Sequence, residues 1–184
     1  MLASEFTALT GSKPIISWLG IRRGMKASKK RKLWVMHSGR DGEAHVGFVE
    51  GRISLGWAKC GNLRSILPDR KAFRKHYRAH YPADSPAAAR MKAGALYRFL
   101  HEMNIQNVVV YPSGNDGLVR FGIVSGPYKY ERTAKIHPHR RNIKWFKEIP
   151  RSKLPFKIKR ALSGRCSLYQ PRKYAGDIFR LLSS

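Results

Sequence analysis

The segment LWVMHSGRDGEAHVGFVEGRISLGWAK, residues 33–59, alternates apolar and polar side chains instead of repeating them every third or fourth residue. That period of two predicts strands over 33–39, 44–51 and 52–59, with turns at GRDGE and EGR. In the third strand Ile53, Leu55 and Trp57 share one face, and Ser54 and Gly56 take the other.

Two helices are expected next. Over 68–80, Ala72, Phe73, His76 and Tyr77 point inward and Arg70, Lys71, Arg74, Lys75 and Arg78 outward. A second helix opens at Ser85-Pro86, a capping residue followed by a first-turn proline, and aligns Leu96, Phe99, Leu100 and Met103 on one stripe. Alternation returns at NVVVYPSG (107–114) and GLVRFGIVSGPYKY (117–130), joined through Gly114-Asn115-Asp116-Gly117. A further strand is expected over 140–150, with Ile143, Trp145 and Ile149 facing one way. SGRCSLYQ (163–170) closes the sheet, and GDIFRLL (176–182) is a short helix. About six short strands with helices outside them predict an α+β fold built on a small β-barrel.

Charge sets the functional question. The 184 residues carry a formal net charge of +26, and residues 120–173 hold sixteen Lys/Arg against two Glu. A field of that size repels itself unless a polyanion neutralises it, and nucleic acid is the commonest one. Residues 1–32 read as a basic, flexible arm, and the domain as 33–184. ALTGSKPIISWLGIRRGM is broken by Pro14 and has no small-residue cleavage site, so no leader is read there and the expected location is the cytoplasm. No stretch approaches ~18 apolar residues, so no membrane span is expected.

Catalytic signatures are sparse. CxxC, HExxH, GxSxG and P-loop spacings are absent, and neither a metal nor a cofactor is expected. Cys60 and Cys166 read as reduced core thiols. Asp69-Arg70-Lys71 has the (D/E)xK form of a metal nuclease, with Glu43 or Glu50 as an upstream partner. Pro68-Asp69 reads better as a helix opening, where the carboxylate meets free backbone N–H groups. A non-enzyme is expected, with a compact nuclease using Glu50, Asp69 and Lys71 as an alternative.

Several blocks together resemble a known family. They are WVMHSGRDGEAHVGFVEGRISLGWAKCGNL, ALYRFLHEM, VVVYPSG, and VRFGIVSGPYKYE with HPHRRNIKWFKEIPRSKLP. They are similar to the N-terminal reader domain of Mrr-type restriction endonucleases, a PUA-like domain near the EVE and YTH branches. The resemblance runs from about Leu33 to Leu182; Gln106-Asn107 departs from the Gly-Asp that relatives place there. It implies a PUA-like barrel that holds a flipped, modified base in an aromatic pocket. Relatives continue into a nuclease domain beyond the point where this sequence stops. A separate nuclease or ATPase partner is therefore implied, as in restriction-modification and phage defence. RNA recognition by a PUA-type protein is the alternative, and DNA is favoured.

On that resemblance the base pocket is expected at Trp57, Ser38, Gly39, Tyr111 and Tyr128. A ring at a barrel mouth gives a base a surface to stack on, and a small turn residue admits its edge to the backbone. Arg140 and Arg141, on opposite sides of a strand, together with Lys129, Arg132, Lys135, Lys144 and Arg151, are the expected phosphate contacts.

Overall fold

The computed structural model describes residues 31–39 and 41–183. The expected arm over 1–32, save Arg31 and Lys32, and the leader reading of the N-terminal stretch lie outside the described residues.

Among the described residues seven strands form one curled, half-barrel sheet. They are β1 (Leu33–Met36), β2 (Arg52–Leu55), β3 (Val108–Pro112), β4 (Leu118–Val124), β5 (Lys129–Tyr130), β6 (His139–Pro150) and β7 (Leu168–Tyr169). The order is β2-β6-β4-β3-β1-β7, with β5 also on β6. β1 runs parallel to β3, and the other pairings are antiparallel. Five α-helices accompany them among the described residues: α1 (His45–Val49), α2 (Arg70–His80), α3 (Pro86–Tyr97), α4 (Phe156–Ala161) and α5 (Ala175–Ser183). Among the described residues no helix is long and apolar enough to cross a membrane.

The expected strand over 44–51 is instead the helix α1. Phe48 N–H donates to the Ala44 carbonyl at 3.0 Å, and Glu50 N–H to that of Val46. Phe48 is fully buried, whereas Val46 is 68% and Val49 41% exposed. Ala44 and Phe48 are one turn apart, so the buried pair has helical spacing that Val46 and Phe48 mimic as alternation. The expected strand over 117–130 is also two pieces, β4 and β5, separated at Ser125-Gly126-Pro127.

Helix starts follow the capping chemistry. Asp69 accepts from Ala72 N–H at 2.9 Å at the head of α2, and Ser85 Oγ from Ala88 N–H at the head of α3, with Pro86 first in the helix. After Tyr97, α3 widens into a π turn over Arg98–Glu102 that keeps Phe99 and Met103 buried.

Both faces of the sheet centre are covered, because β1, β3 and β4 read as near-continuous apolar runs. Trp34, Met36, Val109, Tyr111, Val124 and Ile143 join Phe48, Phe73, Tyr77, Leu96 and Phe99 in the main core. Val35, Val110, Val119 and Phe121 occupy alternate positions and are also fully buried. On their side Lys147, paired with Phe121, donates to the Leu181 carbonyl of α5. A β-bulge at Phe121/Gly122 shifts the register of β6. It puts Ile149 on the face opposite Ile143 and Trp145, which corrects the expected shared face. Gly122 is required there. A Cβ would lie 2.4 Å from Ile143 Cγ2 and 2.5 Å from the Trp145 ring.

Candidate functional site

The ends of β1 and β2, one side of α3 and the loop before β7 surround a cavity of about 510 Å³, within the range of ligand sites. The segment leaving β1 supplies His37 and Gly39. His37 N–H donates to the Ser167 carbonyl at 3.1 Å, carrying the β1–β7 ladder one residue beyond its strands. Gly39 has φ +99°, and a Cβ there would collide with the Glu43 carboxylate, which lies over it.

Trp57 follows β2 in the left-handed region, at φ 62° and ψ 48°. A bulky residue in that region costs ~1–3 kcal/mol and persists only where its surroundings hold it. Here Cys60 N–H donates to the Trp57 carbonyl at 3.0 Å, closing a 3-10 turn over Ala58–Cys60. The indole meets the Tyr77 ring edge-on, with centroids 6.4 Å apart. The strained backbone thus turns the ring off the strand face and into the wall of the cavity.

α3 contributes Met91, Lys92 and Ala95. Lys92 Nζ donates to both oxygens of Asp84 at 2.9 Å, and Tyr77 O–H donates to the same carboxylate at 2.6 Å. These bonds, that from Tyr77 foremost, hold the Asp84 carboxyl below its ordinary pKa. The facing loop supplies Gly164, Arg165, Cys166 and Ser167, and Cys166 Sγ sits 3.3 Å from Met91 Sδ. Cys166 is therefore not the core thiol expected; Cys60 is, and burial pushes its thiol up to about 12. His37 Nε2 is buried with no hydrogen-bond partner among the described residues. Burial lowers the pKa of this imidazole, the Gly164 backbone opposes the shift, and Arg151 adds to it. A neutral imidazole with a free nitrogen can pair with a donor or an acceptor.

Trp57 and Gly39 are thus brought together on one wall. Ser38 lies just behind them, buried, with Oγ accepting from Tyr111 O–H at 2.9 Å. Tyr111 is not at a rim. It is buried edge-to-face against Phe48 at 4.9 Å, its hydroxyl bonded also to His45 Nδ1. Tyr128 is likewise in the core. It accepts from Leu63 N–H, bonds His139 Nδ1 at 2.9 Å, and lies edge-on to Phe99. Its hydroxyl found buried partners, so the preceding Gly-Pro did not project the ring outward.

The expected phosphate contacts divide. β6 sends Arg140 and Arg141 to opposite sides, and Arg141 is buried, 5% exposed. Its guanidinium donates to the carbonyls of Phe99 (2.9 Å), Leu100 (3.1 Å) and Gly126 (3.3 Å). Burial lowers its pKa to about 10, so it stays charged at neutral pH. Arg141 is therefore a structural cation satisfying the carbonyl end of the π turn, and the expected phosphate role is corrected. Arg140 donates to the His137 carbonyl and lies 3.9 Å from Glu131.

Lys129, Arg132, Lys135 and Lys144 are exposed, with no ion pair among the described residues. Arg132 and Lys135 sit in the loop between β5 and β6. A Cβ on Gly56 would lie 3.5 Å from the Ile136 carbonyl, so that loop flanks Trp57. Arg151 donates to Ser163 Oγ beside the 164–167 loop. The loop beside Trp57 and the segment leading to the 164–167 loop therefore both carry cations. His37, Met91, Lys92, Arg165 and Cys166 carried no sequence signal, because they meet only through the parallel β1–β3 crossover and the β1–β7 pairing.

Asp69, the carboxylate of the (D/E)xK form, is occupied in capping α2, and Glu50 pairs with Arg52. Among the described residues no group of three His, Cys, Asp or Glu gathers to hold a metal. No curated protein and no solved structure matches the chain. A family does match, over residues 34–169. That span begins in β1, ends in β7 and takes in every residue of the cavity wall. The chain belongs to the family described as Domain of unknown function (DUF8426).

Proposed function

We propose that the domain binds nucleic acid, DNA in preference, and receives one extruded base in the cavity beside Trp57. The half-barrel is, on this reading, a PUA-like module related to the EVE and YTH branches. The observation that carries it is the pairing of a strained tryptophan with a glycine on the wall of one cavity, flanked by unpaired cations. Stacking on the indole offsets the few kcal/mol that extrusion costs. The Glu43 carboxylate and His37 Nε2 supply hydrogen-bonding groups for the edge of the base. Lys135, Arg132, Arg140, Lys129 and Arg151 grip the flanking phosphates, which gives affinity without sequence information. The domain acts as a reader of modified bases and directs a nuclease or ATPase to them, as the resemblance to restriction-enzyme reader domains implies.

Duplexes carrying 2-aminopurine beside modified or plain cytosine or adenine test this directly. Binding is expected to raise the fluorescence of the reporter and to favour at least one modified duplex. Equal affinity for every duplex and for heparin, with no fluorescence change, would refute it.

A further inference from the structure

α2, Arg70–His80, reads RKAFRKHYRAH: five Lys/Arg and no acidic residue in eleven positions. Phe73 and Tyr77 are buried, while Lys71, Lys75 and Arg78 are exposed and Arg74 is half-buried. Arg70 pairs with Glu102 and lies over the Tyr97 ring. The other four cations have no ion pair among the described residues.

This arrangement opposes the helix's own stability. Arg70 and Lys71 stand in the first turn, where the helix dipole favours anions. Arg70 and Arg74, Lys71 and Lys75, and Arg74 and Arg78 are like charges four residues apart. Lys71 and Arg74, and Lys75 and Arg78, are like charges three apart. Every such pair is repulsive. A solvated face selected for stability would intersperse Glu, and this one has none.

The helix also adjoins the cavity. Its Tyr77 carries the edge of the Trp57 indole, and its C-cap Tyr81 accepts from Lys59 N–H at 3.3 Å. Lys71 to Arg78 spans about 10 Å of helix. That is close to the rise of three phosphates along one strand of a duplex, at about 3.4 Å each.

We propose that the outer face of α2 is a second phosphate-binding track, formed by Lys71, Arg74, Lys75 and Arg78, that holds the nucleic-acid backbone on the helical side of the Trp57 cavity. It rests on the nucleic-acid reading above and extends the contact surface beyond the β5–β6 loop and the C-terminal half of the chain. A bound backbone neutralises the repulsion along the helix, so the track is unfavourable in the free protein and relieved in the complex.

The test is the triple variant Lys71→Gln, Lys75→Gln, Arg78→Gln in the full chain, titrated with a 20-base-pair duplex across salt concentrations. The log–log salt slope is expected to fall by about two to three units, with plain and modified duplexes weakened by the same factor. Thermal melting of the free variant is expected to be unchanged or higher, because repulsion is removed. Lys71→Arg with Lys75→Arg is expected to keep the wild-type slope.

A triple variant with the wild-type slope would overturn the track while leaving the cavity reading intact. The track is equally overturned if the variant loses only binding to vesicles of anionic phospholipid, which would make the face a membrane contact. A wild-type slope near zero would remove both proposals. A reduced slope beside base discrimination that does not depend on Trp57 would keep the track and remove the cavity.

Discussion

Replacing Arg141 with alanine is expected to destabilise the protein by about 3–5 kcal/mol, because three carbonyls lose a charged donor and a hydrogen bond to a charged group is worth ~1.5–3 kcal/mol. The guanidinium is the common donor to the carbonyls of Phe99, Leu100 and Gly126. Truncation leaves three acceptors without that donor at the junction of the π turn and the β4–β5 connection. Each buried orphan costs ~1–3 kcal/mol. Against a total stability of ~5–15 kcal/mol this is a large fraction, so the melting temperature should fall by roughly 10 °C or more. Arg141→Lys keeps the charge but not the planar fork, and should recover part of the loss. Arg140→Ala, on the neighbouring outward position, should melt close to wild type. An Arg141→Ala protein that melts normally and binds nucleic acid poorly would restore Arg141 to the phosphate surface.

Acidification is expected to unfold the domain through His139. This imidazole is fully buried under Tyr128 and Tyr130, and burial lowers its pKa to about 4, with the Trp57 backbone opposing the shift. An unfolded histidine titrates near ~6.5. Between those two values the unfolded chain binds the extra proton, so stability falls as pH drops from about 6.5 to about 4. The loss amounts to about 3 kcal/mol when complete. His37, His137 and His101, each lowered chiefly by burial, add to it with the same sign. Melting temperature measured against pH checks this. In His139→Asn, which keeps a hydrogen-bonding partner for the Tyr128 hydroxyl, the acid limb should be shallower. An identical acid limb in that variant would mean that His139 titrates in the folded protein at its ordinary value.

The two results separate what the sequence displays from what it conceals. β1, β2 and β6, the hairpin between β3 and β4, and the starts of α2 and α3 are legible because local chemistry fixes them. Alternation sets the strands, Ser113 and Asp116 hold the turn, and Asp69 and Ser85 cap the helices. α1 reads as a strand in the sequence because Val46 and Phe48 imitate one over so short a span. Trp57 and Gly39 are named as wall residues through the family resemblance, because alternation alone keeps Trp57 on the face of a strand over 52–59, whereas the strand ends at Leu55. Tyr111, Tyr128 and Arg141 cannot be placed correctly in this way. Their positions depend on partners 73, 65 and 42 residues away in sequence, respectively Ser38, Leu63 and Phe99. The cationic face of α2 is visible as charge, but its closeness to the cavity rests on the contact between Tyr77 and Trp57.

Stacking of the Trp57 ring on a base is separable from backbone gripping by Trp57→Gly. Glycine adopts the left-handed backbone of position 57 without strain, so the variant removes the indole and relieves the backbone together. Melting and binding are to be measured on the same preparation, with modified and plain duplexes. The variant is expected to fold and to keep its salt-dependent binding. It should lose about five- to 150-fold in affinity for the preferred duplex, and with it the distinction between the two, as ~1–3 kcal/mol of stacking requires. A folded Trp57→Gly protein that still separates modified from plain DNA as the wild type does would contradict it.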